Sequence, residues 1–600
     1  MRLNPRTRRF FITLGLLVLA GVVIRLIVSA QLIRADTFVY APPPETDQAT
    51  YLTLSEEIIS GKIPEQFYYQ PFYYSVFLPA ARLVFRSDAW SAALAQTLCS
   101  AFIIWLAGLI GAMLKGRTAG LIAGFFAAFT LLLILYVPYA LLEIQQCLHI
   151  TLLIYLLLRC LRKDSLLLRA AAGLVLACAI LSRGNAWCFL PVILLVFEIV
   201  RRRRKEELRT VLLRGGVFLL CVILPQLPFA VRNSAFKGCL TGPSTAGPAV
   251  LALGNTPEAP PRGLEYPETY EYWMAHQEER SVPGRILDWA FAEPAAFLEF
   301  QIRKFCYFWD AEDVPNNISM QYNGRKSAFL ATVPLISSGM LMMFFLAGFL
   351  LSFRDLFRRK DLLVLYSAVF LYACATAAFY ILARFRVPAY GLIAAGCGVF
   401  PVSFLHAVRR KDWRGLLIFK GGALGIAAAA VFLLCPVYAA SYEPAVMRLL
   451  RPHGVCLIRS ETARDLQDTG PRVMGYAGFA LKNGITVTKS FSAEDGFAAD
   501  TARLRFFFVS AEPADFYMSI NGAEPEHVHV RPGTQGYFYT SLPHPAPPDR
   551  TFRIVFGGLS REVVFLAADP ARNYGRTAMG EGLMPFEAAI RLLLEKNGGK

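Results

Sequence analysis

SLLLRAAAGLVLACAILSRGNAWCFLPVILLVFEIV, residues 165–200, is an apolar run set between two basic clusters, RCLRK at 159–163 and RRRRKEELR at 201–209. As a single helix it would reach about 54 Å at 1.5 Å per residue, far beyond the roughly 30 Å hydrocarbon core of a bilayer. Lysine and arginine retain membrane-flanking loops in the cytoplasm, so both ends of the run belong to one face. The run is therefore expected to be a hairpin of two short helices. Its break falls at Ser182-Arg183-Gly184-Asn185, where glycine and asparagine favour a turn.

The same parity extends outward. RTRR at 6–9, KGR at 115–117, RDLFRRK at 354–360 and VRRKDWR at 408–414 bracket further apolar runs near 10–33, 90–114, 118–137, 139–158, 211–231, 327–352, 362–382, 388–407 and 419–440. If all six clusters share one face, each interval between them holds an even number of crossings. The fold class is then mostly α: a polytopic transmembrane bundle of about eleven spans, with the N-terminus cytoplasmic and the C-terminus outside. The first run is long for a signal-peptide core. It reads as an uncleaved anchor, although Val28-Ser29-Ala30 has the small residues of a cleavage site. Composition agrees, since 55% of the 600 residues are hydrophobic and 18% are charged, against about 25% charged in soluble domains. The net charge of +17 sits largely in the flanking clusters. No aromatic-interleaved basic domain is present, which argues against nucleic acid as a partner. The twelve cysteines fall mostly in apolar runs, where they act as small hydrophobes. Cys239 and Cys306 share one outer loop and either pair or stay as free thiols.

Parity leaves a set of polar segments together on the far side: the loops 34–89 and 232–326, the turns at Tyr136–Glu143, Arg183 and Arg384–Arg386, and a tail from 441. Residues 1–440 form the membrane domain. The tail, 441–600, carries short period-two stretches, LRFFFVS, DFYMSING, HVHVRPG, GYFYTSL, TFRIVFGG and REVVFLAA, separated by Asn521-Gly522, Pro532-Gly533 and PHPAPP. These read as a β-sandwich-like extracytoplasmic domain. A closing helix is expected over 585–596, after Pro585 and before Gly598.

Chemistry is sought among the outer segments. Asp47, Tyr51 and Ser55 are four apart and share a helix face, following the stiff Pro42-Pro43-Pro44. Such an acid can act as a general base toward an acceptor hydroxyl, or simply cap its helix. QFYYQPFYYSVFLPAARLVF at 66–85 is aromatic and amphipathic, suited to the membrane interface. Glu143 opens a span, where an ionisable residue is a functional candidate; His149 lies on another face of that helix and reads as packed. Arg183, Arg384 and Arg386 occupy hairpin bends, and guanidinium matches phosphate with two parallel charge-assisted bonds, while snorkelling to the interface is the plainer reading. Lys304 precedes Phe308-Trp309 on an amphipathic stretch and serves either phosphate or anionic lipid. Asn317-Ile318-Ser319 is a weak glycosylation sequon. His527 and His529 alternate on one strand face without a third metal ligand in sequence.

Asp47, Tyr51, Ser55 and Gly61, then Gln70-Pro71-Phe72-Tyr73, Glu143, Leu181-Ser182-Arg183, GNTPEA, KFCYFWDAEDVPNN and RFRVPAYGLIAAG resemble, in order and sidedness, the GT-C superfamily of membrane glycosyltransferases. The likeness is to the bacterial branch related to protein mannosyltransferases and lipid A aminoarabinose transferases, and covers about residues 8–410. Gly184 stands where the family usually has proline. The resemblance implies sugar transfer from a polyprenyl-phosphate donor to an extracytoplasmic lipid, glycan or protein, in the bacterial inner membrane. It implies Asp47 as base in an inverting displacement, and Glu143 orienting the acceptor or sugar. Arg183, Arg384, Arg386 and Lys304 would hold the donor phosphate. Tyr51, Tyr69, Pro71 and Tyr73 would line the path of substrate and prenyl tail. No cofactor is indicated, and assistance by a divalent metal ion stays open. The competing readings are a transporter or flippase of lipid-linked glycans, and a scaffold that binds glycan through its tail.

Overall fold

A computed structural model describes residues 4–435, apart from 43–45, 413–414 and scattered positions within 258–267 and 315–322, and beyond them the strands of 455–595 with some of their turns. Pro43, Pro44 and Ser319 of the sequon lie outside the described residues. The chain divides into two compact units: Met1–Leu251, Gln301–Val314 and Gly324–Pro436 form one, and Ala252–Phe300, Pro315–Asn323 and Val437–Lys600 the other.

In the first unit, eight helices among the described residues are long and apolar enough to cross a membrane: Pro5–Ala35, Ser91–Lys115, Glu143–Arg162, Gly184–Arg204, Leu208–Lys237, Ser338–Asp355, Lys360–Ala377 and Ala383–Arg409. Shorter apolar helices are Arg117–Phe129, Leu166–Ser182, Ile418–Leu434 and the aromatic Tyr73–Phe85. The eleven expected runs each fall on one of these helices other than Tyr73–Phe85. The chain is a multi-pass membrane protein, mostly helical, with a β-rich C-terminal region. Two runs are interrupted. Thr130 is extended and splits the run 118–137, and the run 327–352 is split at 333–337, which contains Pro334. The two breaks satisfy each other, since Leu131 N donates to Ile336 O at 2.9 Å and Ile336 N to Phe129 O at 3.0 Å. Buried backbone groups must find such partners where water is excluded.

The 165–200 run is a hairpin as expected. Ser165 caps the first helix, its hydroxyl accepting from Leu168 N at 3.2 Å. The helix ends at Ser182, Arg183 is extended (φ −158°, ψ 120°), and a 3-10 turn Gly184–Phe189 leads into Leu190–Arg204. Its two ends lie together: Arg204 Nη2 donates to Asp164 O at 3.1 Å, and the buried Arg169 pairs with Asp164 at 3.1 Å. Other basic clusters join this end of the bundle. Arg117 bonds Thr7 at 2.7 Å, Arg162 bonds Met113 O at 3.0 Å, and Arg359 reaches Leu114 O at 2.5 Å. Five of the six clusters thus contact one another or residues that flank one another.

Arg25 lies inside the first helix. It is 1% exposed and donates to Gly21 O and Ala128 O at 3.0 Å and to Ala127 O at 3.2 Å. Those last two carbonyls belong to the C-terminus of the Arg117–Phe129 helix, which lacks intrahelical donors for them. The helices Ser91–Lys115 and Arg117–Phe129 approach closely through glycine, because a Cβ on Gly120 would stand 2.4 Å from Gly108 O.

In the second unit the tail forms two antiparallel sheets. One runs Gly582–Leu583, Gly575–Met579, Val487–Ser492, Thr551–Gly557, Ala514–Ile520, Glu526–Val530. The other contains Thr501–Val509, Gly536–Leu542 and Val563–Ala568. All six stretches read as strands from period two are strands. Phe516, Met518, Ile520, Val528, Ile554 and Phe556 bury one face. Asn521 and Gly522, both at positive φ (52° and 76°), make the turn, as a primed hairpin turn demands. The expected helix over 585–596 is a correction: Ile590–Glu595 is a strand, paired with Val455–Ser460 on one side and Thr501–Val509 on the other. IRLLLE has helix-forming residues, but pairing on both edges overrides that propensity.

Candidate active site

Three local structures bring charged groups to one cavity in the first unit. Thr46 caps the Asp47–Ile59 helix, its hydroxyl accepting from Ala49 N at 3.3 Å, and Asp47 occupies the first turn, where the helix dipole favours an anion. Arg183 projects from the hairpin break, whose preceding Ser182 hydroxyl accepts from Gln145 Nε2 at 2.9 Å. Arg384 sits in the first turn of the Ala383–Arg409 helix, tied down by Ala383 N donating to Val314 O at 2.7 Å.

The cavity has a volume of 330 Å³. Asp47, Arg183 and Arg384 line it with Tyr51, Tyr69, Gln70, Asn185 and Tyr380, and apolar walls come from Leu142, Val250, Leu251, Phe379 and Phe385. Arg384 forms an ion pair with Asp47, and Arg183 Nη2 bonds Glu143 Oε1 at 3.0 Å. The Phe385 ring is shared by both cations: the Arg183 guanidinium lies 4.3 Å and the Arg384 guanidinium 5.0 Å from its centroid. Two acid–arginine pairs therefore meet at one aromatic ring. The Asp47 side chain is 23% exposed and open to a ligand, whereas Glu143 is 1% exposed. Glu143 does not line the cavity and stands behind Arg183. Arg183 Nη1, Glu143 Oε2 and Arg384 Nε are buried without a hydrogen-bond partner among the described residues. Buried polar atoms are normally satisfied, so the two guanidinium groups retain donors for a further acceptor. Burial, then the charge of Asp47, pushes the Tyr69 hydroxyl up to about 12, and the same causes raise Tyr51 well above its ordinary value. Both stay protonated near neutrality as hydrogen-bond donors.

The other residues singled out from the sequence lie elsewhere. Arg386 is 1% exposed and faces away from the cavity. It donates to Asp310 O at 2.6 Å, Glu312 O at 2.9 Å, and Tyr307 O and Phe308 O at 3.3 Å, and it pairs with Asp313. Its donors close the end of the Pro294–Trp309 helix instead of holding phosphate. Lys304 is fully buried, and its ammonium donates to Phe379 O at 2.8 Å. It braces the backbone of the cavity wall without lining the cavity. Pro71 and Tyr73 are buried beneath it, with the Tyr73 ring 5.5 Å from that of Tyr51. His149 packs between Gln145 and the edge of Phe72. In the second unit His529 Nδ1 and His527 Nε2 approach Asp515 Oδ1 at 2.8 and 3.4 Å on an exposed strand face. No group of three or more His, Cys, Asp or Glu that could hold a metal ion is found among the described residues.

Sequence reasoning missed Phe385, Asn185 and Tyr380, although each adjoins or lies within a few residues of an arginine it named. It also missed Asp36, which is buried, accepts from the Tyr139 hydroxyl at 2.8 Å and pairs with Lys326 at 3.2 Å. Arg386→Ala should lower stability by about 3 kcal/mol, the scale for breaking a buried pair. A denaturation series in detergent checks it, with the expected loss in the unfolding midpoint and no change in donor saturation of the protein that remains folded.

Residues 69–229 match the family described as dolichyl-phosphate-mannose-protein mannosyltransferase. This stretch includes Tyr69, Glu143 and Arg183 and excludes Asp47 and Arg384. Among solved structures, the oligosaccharyltransferase AglB from Archaeoglobus fulgidus, in complex with an inhibitory peptide and a dolichol-phosphate, is 13% identical with a TM-score of 0.37; the match covers 70% of this chain and 55% of that one. ArnT from Cupriavidus metallidurans, bound to undecaprenyl phosphate, is 15% identical with a TM-score of 0.34, covering 73% and 72%. Arabinosyltransferase EmbB from Mycobacterium smegmatis is 13% identical with a TM-score of 0.27, covering 99% and 65%. No curated protein sequence matches. The chain thus spans little more than half the length of the archaeal protein.

Proposed function

We propose that this membrane protein is a glycosyltransferase that moves a sugar from a polyprenyl-phosphate carrier to an acceptor outside the cytoplasm. The observation that carries the reading is the gathering, at one cavity, of a part-exposed carboxylate on Asp47 and two guanidinium groups, the buried one of Arg384 and the part-buried one of Arg183, each with a donor that has no partner among the described residues. The family match supports the donor class.

The chemistry follows from the geometry. The acceptor hydroxyl gives its proton to Asp47 as its oxygen attacks the anomeric carbon. The bond from that carbon to the phosphate oxygen breaks, and the electron pair leaves on the phosphate. Arg183 and Arg384 hold the growing negative charge, so the leaving group needs no proton. An incoming phosphate competes with Asp47 for Arg384, and this exchange frees the carboxylate for the acceptor. Tyr51 and Tyr69 supply neutral donors beside it. Glu143, which touches no ligand, orients Arg183.

The test uses purified protein in vesicles with a radiolabelled polyprenyl-phosphate sugar and a native membrane extract. Transfer gives a labelled product heavier than the acceptor by one sugar residue. Movement of intact donor across the bilayer without such a product identifies a flippase and overturns the assignment. Sidedness is checked separately with a membrane-impermeant maleimide on intact cells whose native thiols are blocked beforehand. Lys62→Cys and Lys237→Cys should be labelled and Arg202→Cys should not; labelling of all three from the same side would break the topology.

A further inference from the structure

Cys306 lies on the Pro294–Trp309 helix, and Cys435 directly follows the Ile418–Leu434 helix. The two thiols are near enough to interact. The backbone fixes this juxtaposition. Ala311 N donates to Val431 O at 3.2 Å. Phe432 and Ala311 both pack on Gly339, where an added Cβ would stand 2.8 Å from each. Two segments separated by more than a hundred residues therefore meet close to Cys306 and Cys435. Cys239, the partner considered from the sequence, is exposed and lies beside Thr241 at 3.8 Å.

We infer that Cys306 and Cys435 are a disulfide-forming pair that closes under oxidation and ties the last apolar helix to the helix carrying Lys304. By charge parity this end of the bundle lies opposite the basic clusters, on the side where thiols oxidise and disulfides persist. The crosslink would act on the cavity at one remove. Lys304 holds Phe379 O, and residues 307–313 hold Arg386, so the Pro294–Trp309 helix and the turn after it brace the wall that carries Tyr380 and Arg384.

Closure needs a two-electron oxidant, and a small-molecule disulfide such as oxidised glutathione suffices. The Cys306 thiolate attacks one glutathione sulfur and expels a glutathione thiolate. The Cys435 thiol then loses its proton and attacks the Cys306 sulfur, expelling the second glutathione. Two protein thiols lose two electrons and two protons, and one glutathione disulfide becomes two thiols.

The experiment uses the full chain in detergent, incubated with oxidised glutathione, alkylated, digested without reductant and mapped by mass spectrometry. The expected result is one peptide pair joining Cys306 to Cys435, with the mass of both peptides less two hydrogens, abolished by dithiothreitol and by Cys306→Ser or Cys435→Ser. The double variant should retain wild-type sugar transfer and lose only the crosslink. Full alkylation of both residues after oxidation, or a Cys239–Cys306 peptide pair, would overturn the inference. Glycosyl transfer is not assumed by this mapping, so its outcome is independent of the assigned activity.

Discussion

Asp47→Asn leaves a protein that reaches the membrane and fails to transfer sugar, with kcat lower by about 10³-fold, within the range that a general base contributes. The change keeps size and one acceptor oxygen, so the hydrogen bond to Arg384 survives in neutral form. Only the ability to take a proton is lost. A structural role would give a different result, and one double variant separates the two. Asp47→Arg with Arg384→Asp restores an ion pair across the same gap while moving the carboxylate to the other element. If the pair served only to join the two segments, the exchange would recover transfer. The base assignment predicts recovery of thermal stability without recovery of turnover. Near-normal turnover by Asp47→Asn would end the assignment.

Arg183→Ala raises the donor KM and lowers kcat/KM by about 10²-fold, the scale of one preorganised charge-stabilising donor. The single change also leaves Glu143 buried at 1% exposure without its counter-ion, and an unpaired buried charge is costly. The variant should therefore also be less stable. Arg183→Ala combined with Glu143→Gln removes both charges and the burial penalty. It should fold as well as the native chain and still saturate poorly with donor. Saturation restored to normal in that double variant would mean that Arg183 serves the fold and has no role in binding the donor.

The membrane architecture was legible because it rests on coarse physics. Basic clusters flanking apolar runs gave the parity, and the 36-residue run at 165–200 was too long for one crossing. Asp47, Tyr51 and Arg183 were legible because their spacing or placement at a break put them at an outer rim. Arg384 and Arg386 could not be told apart by composition, yet helix geometry carried the distinction. Residues two apart in a helix point about 200° from each other, so one faced the cavity and the other could not. The burial of Lys304 was not legible because KFCYFW, apolar enough to be buried, also resembles a surface-lying stretch. Phe385 gave no signal of its own: an aromatic between two arginines is ordinary in a membrane protein, and its contact with Arg183 depends on two hairpins meeting. The closing strand Ile590–Glu595 was hidden for the opposite reason, since its local preference is helical and only its neighbours on both edges make it a strand.

Arg25 has a consequence for how the chain is assembled. Two of the three carbonyls it bonds, those of Ala127 and Ala128, are synthesised a hundred residues later. Until residues 117–129 are made, the guanidinium lacks these acceptors, and an arginine within the bilayer then costs about 3 kcal/mol by insertion scales. That cost is withdrawn when the Arg117–Phe129 segment arrives and presents its free carbonyl end. The first anchor is thus poised to stay beside the insertion machinery, or to slide toward the headgroups, until its later neighbour docks. Arg25→Leu should make that early segment integrate on its own and uncouple it from the order in which the bundle is put together.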